Sequence, residues 1–264
     1  MRFAVCLKPV PDPGEWSRLR LDPQSGTLIR TGIPMVINPL DKHALEAALQ
    51  LREKLGGEVV LVSMAPPEAA PVLKEALAMG ADRALLLSDK TFAGSDTLGT
   101  AHVLAEAIKG LGGVEAVLCG EETIDGGTAQ VSAQVAEFLG VNNLMHVSSI
   151  EAQEEGPWLV RSQIEHGSRL VEVEPPLVLA VTRALNQPRY VTMMNILEAE
   201  DKEIKVVGAG DLCLSEPCVG LADSPTQMAG LFKPETGQKA ELLEGDPEAQ
   251  AAELADRLHR MGFC

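Results

Sequence analysis

The chain has 264 residues, of which 45% are hydrophobic, and carries a formal net charge of -16 at pH 7. That hydrophobic share can bury one large core or two smaller ones, so the composition predicts a globular protein. The acidic balance argues against general affinity for nucleic acids, because displacing counterions from phosphates needs a basic surface. The longest apolar runs, such as 59–65 and 177–181, fall short of the roughly 20 residues that cross a bilayer.

The N-terminal run MRFAVCL and the cysteines bear on the compartment. Lys8 and Pro9 cut the apolar run short and no small-residue cleavage site follows, so we interpret it as a first strand rather than a signal peptide. The five cysteines are scattered and show no close spacing with histidines. This favours neither a disulfide framework nor a zinc site, and we expect a protein of the reducing cytoplasm.

Over the first 140 residues, short β-rich runs alternate with longer segments of helical periodicity, which is the pattern of βαβ units. The predicted strands are 2–7, 58–64, 83–88 and 114–120. The predicted helices are 41–57, a segment within 65–82, a segment within 95–113, and one that begins near Thr128. Asp41 is the predicted N-cap of the first helix, and Ser95 or Asp96 that of the third. Such an alternation predicts an α/β fold, with a parallel sheet flanked by helices on both faces.

Three further segments depart from this alternation. The sequence RLRLDPQSGTLIRTG, at 18–32, alternates about a turn and predicts a small β-hairpin over the sheet. After residue 140, four strand-like runs follow without helices between them, which predicts an antiparallel extension. These runs are 146–152, 156–164, 169–174 and 177–182.

From about residue 206 the apolar periodicity thins, until 249–262 predicts a final amphipathic helix. We therefore expect an α/β nucleotide-binding domain at 1–205 and an extended C-terminal arm at 206–264. The arm is either a surface linker whose helix docks on the body or a segment that wraps a partner subunit. Composition alone favours neither.

The glycine-rich segment that follows the fourth strand, GEETIDGGTAQ, is the most informative loop. Gly126 and Gly127 allow close backbone approach, and a helix starting near Thr128 would offer free N–H groups to a phosphate. Asp125 fits a turn cap or a ribose hydroxyl better than a phosphate. An ordinary tight turn is the alternative, because short glycine motifs are common.

Other loops lead to the same edge, since ligands of open parallel sheets bind beyond the carboxyl ends of the strands. Lys8 would place a cation beside a phosphate or reduced cofactor, and Asn38 could bind a base or ribose; a surface lysine and a turn opener are the ordinary alternatives. Met64 and Cys6 would supply apolar walls. The sequence contains no GxSxG, HExxH or complete P-loop, so we expect a protein that binds a nucleotide whose own chemistry is used.

Taken together, these loops resemble the β subunit of electron-transferring flavoproteins. The resemblance covers nearly the whole chain and rests on several motifs in matching order. They are VCLKPVPD, NPLDKHALEAAL, ALAMGADRA, SDTLGTAHVLA, CGEETIDGGTAQV, RALNQPRYVTMMNI and SPTQM. The resemblance implies an adenine nucleotide α hydrolase-like fold, a heterodimer with an FAD-containing α subunit, and a C-terminal arm that reaches around that partner.

Members of this family hold either a structural AMP or, in electron-bifurcating members, a second FAD that takes hydride from NADH. The DGGTAQV, SDTLGTA and SPTQM segments are similar to the bifurcating group, so the resemblance implies FAD, with AMP as the alternative. Glu121, where many bifurcating members carry a basic residue, and Ser132-Ala133, where they carry Gly-Pro, depart from the pattern. A carboxylate so near a dinucleotide must point away or be neutralised by a neighbour.

The activity implied is that of a complex, with NAD(H) as substrate. Electrons would pass to the α-subunit FAD and then an acyl-CoA dehydrogenase, and to ferredoxin or flavodoxin. A non-bifurcating carrier with AMP, a stand-alone adenine-nucleotide sensor and a purely structural scaffold are the competing functions. The resemblance implies electron transfer without covalent chemistry on protein side chains, so we expect no catalytic residue, and the spacing of cysteines and histidines predicts no metal site.

Position by position, the resemblance assigns two sets of residues. The nucleotide pocket would comprise Cys6, Leu7, Lys8, Asn38, Asp41, Ser63, Met64, Ala65, Gly120, Glu121, Thr123, Ile124, Asp125, Gly126, Gly127, Thr128, Ala129, Gln130 and Val131. The partner-docking segment would comprise Arg189, Tyr190, Thr192 and Met193. Met193 occupies the position that anchors on an acyl-CoA dehydrogenase. The alternative is a core methionine in a loop, and its exposure distinguishes the two.

Overall fold

The computed structural model describes residues 1–18, 20–21, 28–29, 32–214, 219–227 and 240–263. The chain divides into two compact units, Met1–Ala229 and Gly230–Cys264. The first unit therefore continues past residue 205, where the predicted domain boundary lies.

The secondary structure of both units is as follows. The strands are β1 (Arg2–Cys6), β2 (Pro9–Pro11), β3 (Arg20–Leu21), β4 (Leu28–Ile29), β5 (Met35–Ile37), β6 (Glu58–Met64), β7 (Arg83–Leu87), β8 (Ala116–Gly120), β9 (Asn142–Glu151), β10 (Trp158–Ile164), β11 (Gly167–Val173), β12 (Leu177–Val181) and β13 (Ile204–Val207). The helices are α1 (Pro39–Leu55), α2 (Ala70–Met79), α3 (Thr97–Leu111), α4 (Val131–Leu139), α5 (Met193–Glu200) and α6 (Pro247–Arg260).

The main sheet of the described residues has nine strands in the order β11-β10-β9-β12-β8-β1-β6-β7-β13. Every pairing from β9 to β13 in this order is parallel, whereas β10 pairs antiparallel with both β9 and β11. This confirms the predicted α/β class, a helix-flanked parallel sheet with an antiparallel extension. Segment 177–182 was wrongly placed in that extension. It forms β12, a central parallel strand whose continuous buried apolar run is typical of strands covered on both faces.

Alternate residues of the central strands pack on opposite faces of the sheet. Phe3 and Val5 of β1 join one core cluster with Leu45 of α1 and Leu77 of α2. Ala4 of β1 joins the other cluster, which includes residues of α3 and α4. Each fully buried leucine contributes about 1.5–3 kcal/mol to folding, so these two layers supply the stability that positions the loops at the sheet edge.

The structure tests the predicted hairpin and the predicted N-termini of two helices, α1 and α3. β3 and β4 pair antiparallel, as the hairpin prediction requires, and its turn lies outside the described residues. α1 begins at Pro39, earlier than the predicted cap Asp41, because proline is tolerated in the first helical turn. This start leaves the Asp41 side chain available for contacts at the sheet edge. Asp96 caps α3 through its contact with Gly99 N, as predicted.

Four of the strands and helices described in the first unit were not predicted: β2, β5, α5 and β13. Thr192 caps α5 by accepting a hydrogen bond from Asn195 N at 3.2 Å. β13 pairs with β7 and forms an edge of the sheet. In the second unit, α6 is capped by Asp246 and buries none of its residues. Within the described residues, no helix combines the length and apolarity needed to cross a membrane.

Candidate functional site

The carboxyl ends of three neighbouring strands, β8, β1 and β6, form the candidate crevice. Gly120 ends β8, Lys8 lies just beyond β1, and Ser63 is the next-to-last residue of β6. The N-terminal turn of α1, with Asn38 and Asp41, hydrogen-bonds to the same loops. The structure thus brings together the strand ends that the sequence predicted to line one site.

Asp41 connects two of these strand ends. Its carboxylate oxygens accept the backbone N–H groups of Lys8 at 2.8 Å and Gly120 at 3.1 Å. The residue is only 4% exposed. Desolvation by burial raises its pKa to about 6, against the opposing effect of these hydrogen bonds. Asp41 therefore orders the loops of the crevice, since both of its oxygens are used by the protein backbone.

Asn38 fastens the glycine-rich segment 121–130, which we call the hinge, to α1. Its side-chain Nδ2 donates to Glu122 O at 2.9 Å, and its Oδ1 accepts Ile124 N at 3.3 Å. Asn38 is fully buried. Its amide thus binds the hinge backbone, which is a different role from the base or ribose contact considered from the sequence.

Lys8 and Asp125 form an ion pair with 2.8 Å between Nζ and Oδ1. The Lys8 side chain is 43% exposed and that of Asp125 10%. A Cβ added at Gly126 would lie 3.8 Å from Lys8 Nζ and 3.4 Å from Thr123 Oγ1, which are ordinary contact distances, so the ion pair does not require a glycine at this position. The predicted cation of the crevice is therefore already paired with the predicted capping carboxylate.

The hinge ends in a different backbone conformation from the predicted one. Gly127 has φ of 58° and its N–H donates to Thr123 O at 2.8 Å, which closes a tight turn. Ala129 also has a positive φ, 54°, and this left-handed residue prevents a helix from starting at Thr128. The helix α4 begins at Val131 instead. The free N–H groups of its first turn are thus displaced by three residues from the predicted position.

The N-terminus of α3 lies against both the hinge and the loop 219–227. Thr97 Oγ1 donates to Gln130 Oε1 at 3.0 Å. Asp96 Oδ2 accepts Thr226 N at 2.9 Å, and Asp96 N donates to Ser224 Oγ at 2.9 Å. Gln130 was predicted at the site, whereas the residues of the other two segments that contact it or each other were not: Asp96, Thr97, Ser224 and Thr226. Their segments, SDTLGTA and SPTQM, are remote in sequence, and Met228 of the second lies outside the described residues.

Glu121 is paired with His146 of β9, with 2.7 Å between Oε2 and Nδ1. This is an ion pair when the imidazole is protonated. His146 has φ of 53°, an uncommon conformation for a residue other than glycine. The structure therefore supplies a neighbour for the carboxylate that the sequence marked as unfavourable near a dinucleotide. Sequence reasoning missed His146, because nothing in its own segment marks it.

The floor of the crevice is apolar apart from one hydroxyl. Cys6 and Leu7 are buried, as is the thiol of Cys119, whose pKa is raised by its hydrogen bond with Cys6 and by burial. Met64 and Ala65 are half-buried. Ser63 is fully buried, and its Oγ has no hydrogen-bond partner among the described residues. A buried unpartnered hydroxyl is costly unless a ligand or water satisfies it, so this atom fits a polar ligand group.

A cavity of about 620 Å³ lies away from this edge and is lined by residues of α1, β9, β10 and β11. Lys54 shares it with Glu151, Glu154 and Glu172. None of the buried atoms without a partner belongs to its lining residues. We therefore assign the site to the strand ends. No group of three or more metal-ligating side chains occurs within the described ranges.

The predicted docking segment is exposed. The side chain of Tyr190 is 90% exposed and that of Met193 is 74% exposed, and Met194 and Leu197 extend the same apolar surface. Thr192 is exposed and caps α5. Met193 is therefore not a core residue, and it begins a helix rather than lying in a loop. We call Tyr190, Met193, Met194 and Leu197 the apolar patch.

Arg189 has a different role from its neighbours. Its Nε and Nη2 donate to Glu46 of α1 at 2.8 and 3.0 Å, and its Nη1 donates to Glu53 at 2.7 Å. Glu46 is buried, and this pairing raises the pKa of Arg189. Asn186 and His43 exchange two further hydrogen bonds of 3.0 Å with one another. Arg189 thus fastens the docking segment to α1.

Comparison with known proteins now identifies the family. A family model described as electron transfer flavoprotein domain matches residues 25–212. The electron transfer flavoprotein subunit beta of Clostridium acetobutylicum is 42% identical over 259 residues, which cover 98% of each chain. This chain belongs to the electron transfer flavoprotein family. The predicted resemblance to its β subunit is confirmed.

Two other relatives extend the similarity. The caffeyl-CoA reductase-Etf complex subunit CarD of Acetobacterium woodii is 41% identical over 246 residues, covering 93% of this chain and 92% of that protein. The acryloyl-CoA reductase electron transfer subunit gamma of Anaerotignum propionicum is 35% identical over 266 residues, covering 98% of each. The similarity thus includes electron transfer flavoprotein subunits of CoA-ester reductase complexes.

We predict that Gly120→Ala disrupts the crevice. The new Cβ would lie 2.6 Å from Asp41 Oδ1 and 2.7 Å from Leu40 Cβ, so the strand end and α1 must move apart. Such overpacking costs about 1–3 kcal/mol of folding free energy, and any nucleotide held at this edge should be retained less well by the variant. Gly110→Ala is the control, because no heavy atom lies within 4 Å of its new Cβ. Thermal unfolding and nucleotide released on denaturation measure both effects; equal retention by the two variants contradicts the prediction.

The carboxyl group of Asp41 should titrate near pH 6. Because this pKa exceeds the ordinary value of 3.8, the folded protein keeps a proton that the unfolded chain releases. The group thus favours folding at acid pH, and about 3 kcal/mol of that contribution is lost as the pH rises from 3.8 to about 6. Carboxyl-carbon NMR measures the midpoint. Asp89, whose pKa is lowered by backbone hydrogen bonds, is the internal control, and a midpoint of 3.8 for Asp41 would refute the assignment.

Arg189→Met should destabilise the protein, because it leaves the buried Glu46 carboxylate without its cation. Breaking such a pair by removing one partner costs about 3–5 kcal/mol. The double variant Arg189→Met/Glu46→Gln should recover most of this loss, since no charge then stays buried. Urea unfolding measures all three proteins. A loss below about 1 kcal/mol in the single variant would show that the pair behaves as an exposed one.

Proposed function

We propose that this β subunit binds FAD in the crevice and works in a heterodimer with an FAD-containing α subunit. NADH is the hydride donor, and electrons are divided between the α-subunit FAD and ferredoxin or flavodoxin. The observation that carries the nucleotide assignment is the buried Ser63 Oγ, which lacks a partner in the described part of the chain at the edge where the hinge begins. A dinucleotide supplies both polar groups and apolar ring surface to such a site.

Two features favour FAD. The structure joins SDTLGTA, SPTQM and the hinge, the three segments that resemble the bifurcating group, through Asp96, Thr226 and the Thr97–Gln130 contact. In addition, the first turn of α4 offers N–H groups and the positive end of its dipole to a pyrophosphate. The chemistry that FAD would supply here is the uptake of two electrons from NADH, followed by their release one at a time.

The residues of this chain then have distinct tasks. Lys8 contributes a cation at the hinge while Asp125 holds its ammonium group in place. Asp41 and Asn38 hold the backbone of Lys8, Gly120 and the hinge in register with α1. None of these side chains performs covalent chemistry. The protein binds, orients and shields the cofactor.

The apolar patch is the proposed docking surface for an acyl-CoA dehydrogenase-like flavoenzyme. Exposed apolar side chains grouped at one place are typical of protein interaction sites, and flexible thioethers adapt to a partner's surface. Two relatives are named as subunits of reductases of CoA esters, which agrees with a partner of this class. We also propose that the C-terminal arm packs on the α subunit and that the complex works in the cytoplasm.

Glu121 favours the second candidate, a non-bifurcating carrier that holds AMP. Its carboxylate lies at the start of the hinge, at a position where many bifurcating members of the family carry a basic residue, so an anion replaces a cation that would attract the FAD pyrophosphate. The neighbouring His146 offsets this charge only when the imidazole is protonated. FAD and AMP are therefore best distinguished by counting the nucleotides that the purified heterodimer releases.

The test is to coexpress this chain with its α subunit, purify the heterodimer anaerobically, and count FAD and AMP released by denaturation. Two FAD and no AMP per heterodimer are expected, and Ser63→Ala should lower the count towards one because the α-subunit site is untouched. Ser168→Ala, which changes an exposed serine on β11, is the matched control. One FAD with one AMP overturns the bifurcating function and leaves the carrier.

A further inference from the structure

Two methionines stand side by side at the start of α5, within the apolar patch. Met193 and Met194 are 74% and 64% exposed, whereas Met79 is 3% exposed in the core. Met145 differs again, because its Sδ accepts a hydrogen bond from Ser132 Oγ. Exposed thioethers are accessible to small oxidants, so the patch contains two adjacent oxidisable groups.

The packing of α5 does not depend on these two side chains. Ala199 is its buried residue, and Lys74 of α2 donates to Ala199 O and Glu200 O at 2.8 and 2.7 Å. Thr192 caps the other end. A chemical change at Met193 or Met194 therefore alters the surface of α5 while the contacts that hold the helix stay in place.

We propose that Met193 and Met194 form a modification site for hydrogen peroxide, and that their oxidation weakens docking at the apolar patch. The docking half of this inference rests on the proposed function. Each thioether sulfur attacks one peroxide oxygen, the O–O bond breaks, an S=O bond forms and water leaves. The sulfur loses two electrons and the peroxide gains them. Methionine sulfoxide reductases reverse the change with electrons from thiols.

The consequence for docking follows from polarity. A sulfoxide is a polar hydrogen-bond acceptor, and burying it against an apolar surface costs desolvation free energy that a thioether does not require. Oxidation of both residues should therefore reduce the affinity of the patch for a flavoenzyme at least ten-fold. Reduction by the sulfoxide reductases should restore it.

The experiment uses the purified heterodimer, treated with hydrogen peroxide under mild conditions and then quenched. Peptide mass spectrometry measures sulfoxide at each methionine, and we expect Met193 and Met194 to be oxidised at least ten-fold faster than Met79. Binding to an immobilised short-chain acyl-CoA dehydrogenase is measured before and after treatment. Each protein is compared with its own untreated sample.

Two variants make the binding result specific. In Met193→Leu/Met194→Leu the ratio of treated to untreated affinity should stay near one, because leucine has no sulfur. In Met261→Leu, which removes a methionine that is 72% exposed in the second unit, the ratio should fall as in the wild type. Reductase treatment should return the oxidised wild-type protein to its original affinity.

Three results would overturn the inference. Oxidation of Met79 as fast as Met193 would remove the modification site. Loss of affinity in the double leucine variant equal to that in the wild type would remove the link between oxidation and docking. Untreated wild-type protein that does not bind the dehydrogenase would overturn the proposed docking function itself, and the mass spectra would still decide the modification site.

Discussion

The crevice depends on one buried carboxylate. The ladder between β1 and β8 ends at Val5 and Leu118, and beyond that point their backbones diverge into separate loops. Asp41 accepts the N–H groups of Lys8 and Gly120 that this divergence leaves without strand partners. Burying the Asp41 carboxylate has a cost, which appears as a raised pKa of this group. Desolvation of its charge exceeds the gain from the hydrogen bonds. Perturbed carboxyl groups of this kind cluster at functional sites, where loop positions must be well defined.

α1 connects this crevice to the docking segment. Asn38 and Asp41 lie at the N-terminus of α1. About 8 Å beyond Asp41 along the helix axis, Glu46 accepts hydrogen bonds from Arg189. The chain after β12 is thereby fixed on the same helix that orders the hinge. If the proposed nucleotide and flavoenzyme bind at these two places, a shared helix would keep the distance between them constant, and electron transfer needs a defined distance.

Sequence periodicity was sufficient for most of the fold, because the βαβ alternation of the first 140 residues is a local property. β12 was assigned to the wrong part of the sheet, since strand neighbours are decided by tertiary packing rather than by the run itself. Asn38 and Asp41 were predicted at the site, but as ligand contacts. Which backbone N–H groups lack partners is visible only in three dimensions. The Glu121–His146 pair joins a loop to a bulged strand, so no local pattern indicated it.

The charges at the crevice bear on the proposed binding of an anionic nucleotide by so acidic a chain. Asp125 is paired with Lys8 and Asp96 with backbone N–H groups, so neither carboxylate presents an uncompensated charge, and His146 compensates Glu121 when its imidazole is protonated. The first turn of α4 then contributes the attractive field that remains. Lys8 is only partly enclosed, which leaves room for a phosphate oxygen beside Asp125. An incoming phosphate would share this ammonium group with Asp125, so the strength of their ion pair sets part of the affinity for nucleotide.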